Sequence, residues 1–167
     1  ATFSEVLRVE PVGFRTPHFG ALHVDDIYPI LAEMGYVFSS SKLAAASGGA
    51  PFCTEEGLWE FPLSPCPEHP YGVFDSWHSI SKHGASHQGK GQLGRLFGKL
   101  LDTTLAQGGL VNIYLDPKDA LESGELADIL ATINASGVPV RSYLGLAEQL
   151  SARELSSDII PENPTGA

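Results

Sequence analysis

Arg15, Asp75 and Asp116 are the side chains whose types and settings best suit chemistry. Arg15 closes a hydrophobic run, Val9 to Phe14, and is followed by Thr16-Pro17-His18-Phe19-Gly20. Pro17 fixes one backbone torsion and pushes Thr16 towards an extended conformation, so a rigid strand exit is expected here. Asp116 ends a second hydrophobic run, Leu110 to Leu115, and Asp75 lies in a loop two residues before Trp77. An arginine and two aspartates meeting at one mouth could orient a substrate and move a proton, and Arg15 could pair bidentately with either carboxylate. Bland roles stay open beside these: Arg15 in a surface turn, and Asp116-Pro117-Lys118-Asp119 as a turn or helix N-cap.

The histidines and cysteines are less decisive. His83 and His87 have a spacing that places two imidazoles on one helix face, as a metal site needs. Glycines 84, 89 and 91 weaken any helix there, which leaves a solvated loop as the other reading. His18 is the better candidate beside Arg15 because Pro17 holds its backbone, while His69 sits among prolines and reads as loop. Cys53 and Cys66 flank a Pro-rich stretch, either as a disulfide or as two thiols. With no second cysteine pair, the residues make a weak case for structural zinc.

The elements that must position these groups alternate. Val9–Phe14 reads as a strand, residues 25–34 as a helix closed by Gly35, and Tyr36–Phe38 as a strand running into Ser39-Ser40-Ser41. Residues 42–57 read as a surface excursion and Leu58–Leu63 as a strand. Pro65 to Gly91 is irregular, and long loops of that kind are often functional. Leu93, Leu96, Phe97, Leu100, Leu101 and Leu105 make a helical stripe. Leu110–Leu115 follows as a buried strand with Asn112, Tyr114 and Asp116 on one face. A helix over Asp119–Ser136, a strand over Val138–Tyr143 and a helix over Leu146–Leu155 complete the series. Strand–helix alternation implies an α/β fold with a parallel sheet and right-handed crossovers. One α/β domain is expected over residues 1–160, with 161–167 as a tail.

The formal charge of -10 disfavours nucleic acid, whose phosphates an acidic surface repels. No apolar run is long enough for a membrane helix. Ala1 rather than methionine opens the chain, which is expected of a processed protein or a piece of a longer one.

In order, these features resemble the polysaccharide deacetylases, the NodB-homology carbohydrate esterases. Gly13 to Gly20 is similar to the family's Arg-x-Pro-Tyr-Gly motif, one residue longer. Gly35 to Ser41 resembles its Gly-Tyr-x-x-x-Ser-Ser strand. Glu60-Phe61-Pro62-Leu63 followed by Asp75-Ser76-Trp77 resembles its strand and Asp/Trp loop, and Asn112 to Pro117 stand where a strand ending in Leu-x-His is usual. The likeness runs from about residue 9 to 155.

That resemblance implies a distorted (β/α) barrel and metal-assisted removal of an N- or O-acetyl group from a carbohydrate. It implies that Arg15 holds the catalytic aspartate, that Asp75 braces Arg15, and that the His18 backbone N–H, after Pro17, helps stabilise an oxyanion. Trp77 would wall the acetyl pocket, Leu115 would line it, and Asp116 stands in place of the general-acid histidine. The family's Thr-Phe-Asp-Asp and early His-x-x-x-His motifs, which supply the base and metal ligands, have no counterpart. The expectation is therefore the C-terminal portion of an incomplete barrel. A missing N-terminal portion or a second chain would cover its open sheet edge and complete a divalent-metal site, with zinc the first choice. The resemblance leans towards the cell envelope or periplasm. Two rivals are a non-catalytic carbohydrate-binding relative, with Trp59, Tyr71 and Trp77 stacking on sugar rings, and a metal hydrolase built on His83, His87 and Asp75.

Overall fold

Short hydrophobic segments ending in small hydroxyl residues build the sheet from which the rest hangs. The computed structural model describes residues 3–16, 25–45, 49–76 and 91–157. After a first helix, α1 (Phe3–Leu7), the strands β1 (Gly13–Phe14), β2 (Phe38–Ser39), β3 (Phe52–Cys53) and β4 (Trp59–Glu60) form a sheet of order β1-β2-β4-β3. β1, β2 and β4 are parallel, and β3 runs antiparallel along β4. Three of the expected strands, at Val9–Phe14, Tyr36–Phe38 and Leu58–Leu63, are thus present but short, and β3 arises inside the stretch read as a surface excursion.

Single backbone bonds carry the parallel pairing further at its carboxyl ends. Ser40 N–H donates to Phe14 O at 3.0 Å, Phe61 N–H to Ser39 O at 2.9 Å, and Leu63 N–H to Lys42 O at 2.7 Å. Ser64 N–H then reaches Asn112 O at 2.7 Å, which brings the 110–114 segment alongside. That segment was expected as a full strand, yet its one ladder contact is the parallel bridge between Tyr114 and Asp75. A second, two-stranded sheet pairs β5 (Pro65–Cys66) with β6 (His69–Val73), so part of the stretch read as irregular is a hairpin. Cys53 is exposed and Cys66 buried, and no disulfide joins the two.

The helices follow their apolar stripes with local corrections. α2 (Tyr28–Glu33) continues a 3-10 turn at 25–27 and buries Tyr28 and Leu31 between β1 and β2 in the chain. α3 (Gln92–Gln107) buries Leu93, Leu96, Phe97, Leu100, Leu101 and Thr104, whereas Leu105 is exposed. Thr104 lies three turns below Leu93 and takes the inward place; Leu105 is one residue, about 100°, further round. The helix expected over Asp119–Ser136 is two, α4 (Pro117–Ser123) and α5 (Glu125–Ser136), because Gly124 takes φ 74°. Such a left-handed residue ends one helix and re-aims the next.

Val138–Tyr143 is not a strand. Ser142 instead caps α6 (Tyr143–Ser157): its Oγ accepts from Gly145 N–H at 3.2 Å and its carbonyl from Leu146 N–H at 3.0 Å. The helix therefore starts a turn early and takes Tyr143 as its first residue. α6 lays Ala147, Leu146 and Leu150 over Trp59, Phe61 and Phe38, while α3 and α5 share a second core with Phe74 and Cys66. The described residues are mixed α/β and form no closed barrel. No described helix is long and apolar enough to cross a membrane.

Candidate functional site

Arg15 stands where β1 ends, half-buried, and the ends of the neighbouring segments close around it. Its Nε donates to Ser40 O at 3.0 Å and one terminal nitrogen to Ser40 Oγ at 2.8 Å. That nitrogen also donates to Tyr143 Oη at 2.7 Å and, more weakly, to Asn112 Oδ1 at 3.4 Å. The guanidinium carbon lies 5.8 Å from the Tyr143 ring centre. These partners are uncharged, so on this side the cation is solvated by oriented dipoles.

Each partner is itself fixed. Ser40, 1 % exposed, accepts from Arg15 and from Asn112 Nδ2 at 2.9 Å and donates to Phe61 O at 2.9 Å. Asn112 Nδ2 also reaches Phe61 O at 2.7 Å and Pro62 O at 3.2 Å, which turns Oδ1 towards Arg15 and Tyr143. Tyr143 donates its hydroxyl to that Oδ1 at 2.5 Å. Strand alternation explains the serine run: Ser40 faces Arg15, while Ser39 and Ser41 share the other face and bond each other at 2.9 Å. Ser41 Oγ in turn accepts from Thr16 N–H at 3.0 Å, pinning the residue after Arg15.

Glu60, fully buried at the end of β4, is a second polar centre on the same strand ends. Oε1 accepts from the backbone N–H groups of Ser41 and Lys42 at 2.7 and 2.9 Å, and Oε2 from the Tyr28 hydroxyl at 3.0 Å. Burial, reinforced by the negative charge and hydrogen bond of Glu60, pushes the Tyr28 phenol far above its ordinary value near 10. Tyr28 therefore serves as a donor that keeps its proton. Lys42 closes this side with an ion pair to Asp25 at 2.6 Å.

The other expected site residues fare differently. Asp75 is 1 % exposed and sits beside Tyr114 through the parallel bridge. Asp116 N–H donates to Ser76 Oγ at 2.7 Å, so Asp75 and Asp116 end adjacent segments. Asp116 Oδ1, however, accepts from Lys118 and Asp119 N–H at 2.9 and 3.4 Å, which makes it the N-cap of α4. Leu115 packs against the α3–α5 core. Trp59, named for stacking on sugar, is 5 % exposed and bonded through Nε1 to Ser151 Oγ at 2.8 Å, whereas Tyr71 is 96 % exposed. Pro17, His18, Trp77, His83 and His87 lie outside the described residues. Among the described residues no three His, Cys, Asp or Glu gather to hold a metal ion.

Ser40, Asn112, Tyr143 and Glu60 were not singled out from the sequence as site residues. The usable signals were an asparagine inside an apolar run, a serine triplet after a strand, and one glutamate between Trp59 and Phe61. Asn112 and Tyr143 also form part of the wall of a cavity of about 600 Å³, lined largely by apolar groups such as Leu101, Val111, Ile133 and Val138. That size suits a small molecule. No family model, curated protein or solved structure matches this chain.

Proposed function

We propose that the chain contributes to a deacetylase-like hydrolase acting on an acetylated carbohydrate, with Arg15 as a positioning residue. One observation carries this reading: the arginine of the Arg-x-Pro motif is fixed at the carboxyl end of a parallel strand by the ends of its neighbours. Parallel-sheet folds place their chemistry at that edge. A guanidinium so held offers a rigid cation against which a catalytic carboxylate can be oriented. β1 is the terminal strand in the sheet order, so the side beyond it is where further strands of a distorted barrel would add. Further strands there would bring the base and the metal ligands of the complete site, from an N-terminal portion or a second chain. A divalent metal, zinc in the first instance, would be held by groups outside the described residues, because the described ones do not fit it.

A second reading, a non-catalytic carbohydrate-binding relative, is favoured by Asp116. This residue stands in place of the family's general acid, and its Oδ1 is engaged by the first turn of α4. The two readings part in one experiment on protein produced from the complete gene. Acetate release from an N-acetylated chito-oligosaccharide, abolished by Arg15→Ala, supports the hydrolase. Binding of the oligosaccharide by calorimetry without acetate release supports the second reading. Neither binding nor release overturns both.

A further inference from the structure

The cavity of about 600 Å³ that borders Asn112 and Tyr143 lies along two stretches of chain, 110–113 and 138–143, which make no backbone hydrogen bond with each other. In an extended stretch, alternate residues turn their backbone groups to opposite edges. The even-numbered ones are in use here: Asn112 O accepts from Ser64 N–H at 2.7 Å, and Tyr114 N–H donates to Phe74 O at 3.3 Å. Val111 and Ile113 are half-buried, line the cavity and, among the described residues, make no hydrogen bond through their backbone groups. Thr104 of α3 lines the same cavity, is 2 % exposed, and its hydroxyl also lacks a partner among the described residues. Helical threonines commonly bond back to their own helix, as Thr103 does to Lys99 O at 2.8 Å and Thr132 to Asp128 O at 2.9 Å. Polar groups at such depth are nearly always paired, so their gathering on one cavity marks a place for a ligand.

We infer that the cavity receives an extended peptide segment of a partner protein, which adds as a strand to the free edge of 110–114. A main chain in that position supplies donors and acceptors in alternation to Val111 and Ile113 and sends every second side chain into the cavity. Leu101, Ile133 and Val138 make the wall apolar, so apolar side chains fit at those alternate positions. Arg141 is the charged side chain of the described wall and is exposed, so a carboxylate at one end of the segment complements it. Leu105 and Val140, 51 % and 71 % exposed, supply apolar surface at the opening for the same partner to cover. The proposal does not rest on the deacetylase reading, because its contacts are the Val111 and Ile113 backbone and not the Arg15 guanidinium.

Amide hydrogen exchange of the full protein tests it, with the peptide acetyl-Thr-Val-Thr-Val-Thr-Val bearing a free carboxylate as the probe. In the protein alone, the Val111 and Ile113 amides should exchange faster than those of Asn112 and Tyr114. At free peptide ten times its Kd, exchange at Val111 and Ile113 should slow about tenfold while Asn112 and Tyr114 change little. Decanoate, which has an apolar chain and a carboxylate but no peptide groups, should leave both amides fast. Val140→Asp, at an exposed position where folding is least at risk, should weaken the peptide at least about tenfold by placing a charge in the apolar wall. Arg141→Ala should weaken it by up to about fivefold. Protection by neither probe overturns the proposal. Protection by decanoate as strong as that by the peptide also overturns it and assigns the cavity to a small apolar acid.

Discussion

The Gly13 Cα faces the Phe38 ring so closely that a Cβ built on it would fall 2.0 Å from Phe38 Cζ. Phe38 cannot simply swing away. Its ring stacks on Tyr143 at 5.2 Å between centres and meets Phe61 edge-on at 6.0 Å. Gly13 is thus required by space, since the Arg15 network rests on the same aromatic stack through Tyr143. Gly13→Ala is expected to lower stability by about 1–3 kcal/mol, the usual cost of overpacking. Urea unfolding followed by near-ultraviolet circular dichroism would register both the lost stability and the disturbed rings. An unchanged midpoint would mean that Phe38 does not occupy this place.

Asn112 is the hub on the opposite side. Its removal leaves the carbonyls of Phe61 and Pro62 and the hydroxyls of Ser40 and Tyr143 short of partners in a buried setting. Each unsatisfied buried group costs about 1–3 kcal/mol, partly relieved by relaxation. Asn112→Ala should therefore destabilise by roughly 2–4 kcal/mol, more than Gly13→Ala. Equilibrium denaturation of both variants in one buffer checks the order, and the reverse order would contradict the network.

Tyr28 gives an alkaline signature. Its proton is held more tightly in the folded state, first by burial and then by Glu60. A group raised in this way contributes fully below its unfolded pKa, about 10, and the contribution fades as the pH climbs past that value. Stability should accordingly fall from about pH 10 upward. In Tyr28→Phe that component of the fall is absent, and neutral-pH stability drops by about 1 kcal/mol because Glu60 loses a donor. Denaturation curves across the alkaline range decide it; identical pH slopes in wild type and variant would disprove the linkage.

Glu125 caps a helix to which it does not belong. Its two carboxylate oxygens accept from Gly91 and Gly94 N–H, each at 2.7 Å, at the N-terminus of α3. A negative charge there satisfies otherwise unpaired donors and opposes the positive end of the helix. Glu125→Gln keeps the shape but loses the charge and one acceptor, and about 1–2 kcal/mol is expected; Glu125→Ala should cost more. Hydrogen exchange at the Gly91 and Gly94 amides should quicken in both, with the larger change in Glu125→Ala.

What the sequence made legible follows the range of the forces involved. The stripe Leu93 to Leu101 and the start of a helix after Asp116 depend on neighbours within a turn or two, and both stand in the structure. Arg15 at a strand exit is also local, because Val9–Phe14 and Pro17 frame it. Its partners are not: Asn112 and Tyr143 lie 97 and 128 residues away in sequence, and no spacing rule pairs them. Local chemistry also misled, as at Val138–Tyr143. The apolar alternation there reads as strand, yet Ser142 offers a helix cap, and packing of α6 on Phe61 and Trp59 favours it. The stretch with His83 and His87 lies outside the described residues.

Whether Arg15 is held as a unit with Tyr143 can be measured directly. Tyr143→Phe keeps the ring, hence the stack on Phe38 and the face near the guanidinium, and deletes only the hydroxyl that accepts from Arg15 and donates to Asn112. Arg15→Lys keeps the charge but not the planar fork that serves Ser40 and Tyr143 together. Each change alone should cost about 1–2 kcal/mol. Because the two groups touch and share Asn112, the double variant should lose less than the sum, with a coupling of about 0.5–3 kcal/mol. Strict additivity would mean that the hydroxyl and the guanidinium do not bond. Arg15 would then keep its bonds to Ser40 but not the one to Tyr143, and the positioning role proposed for it would rest on Ser40.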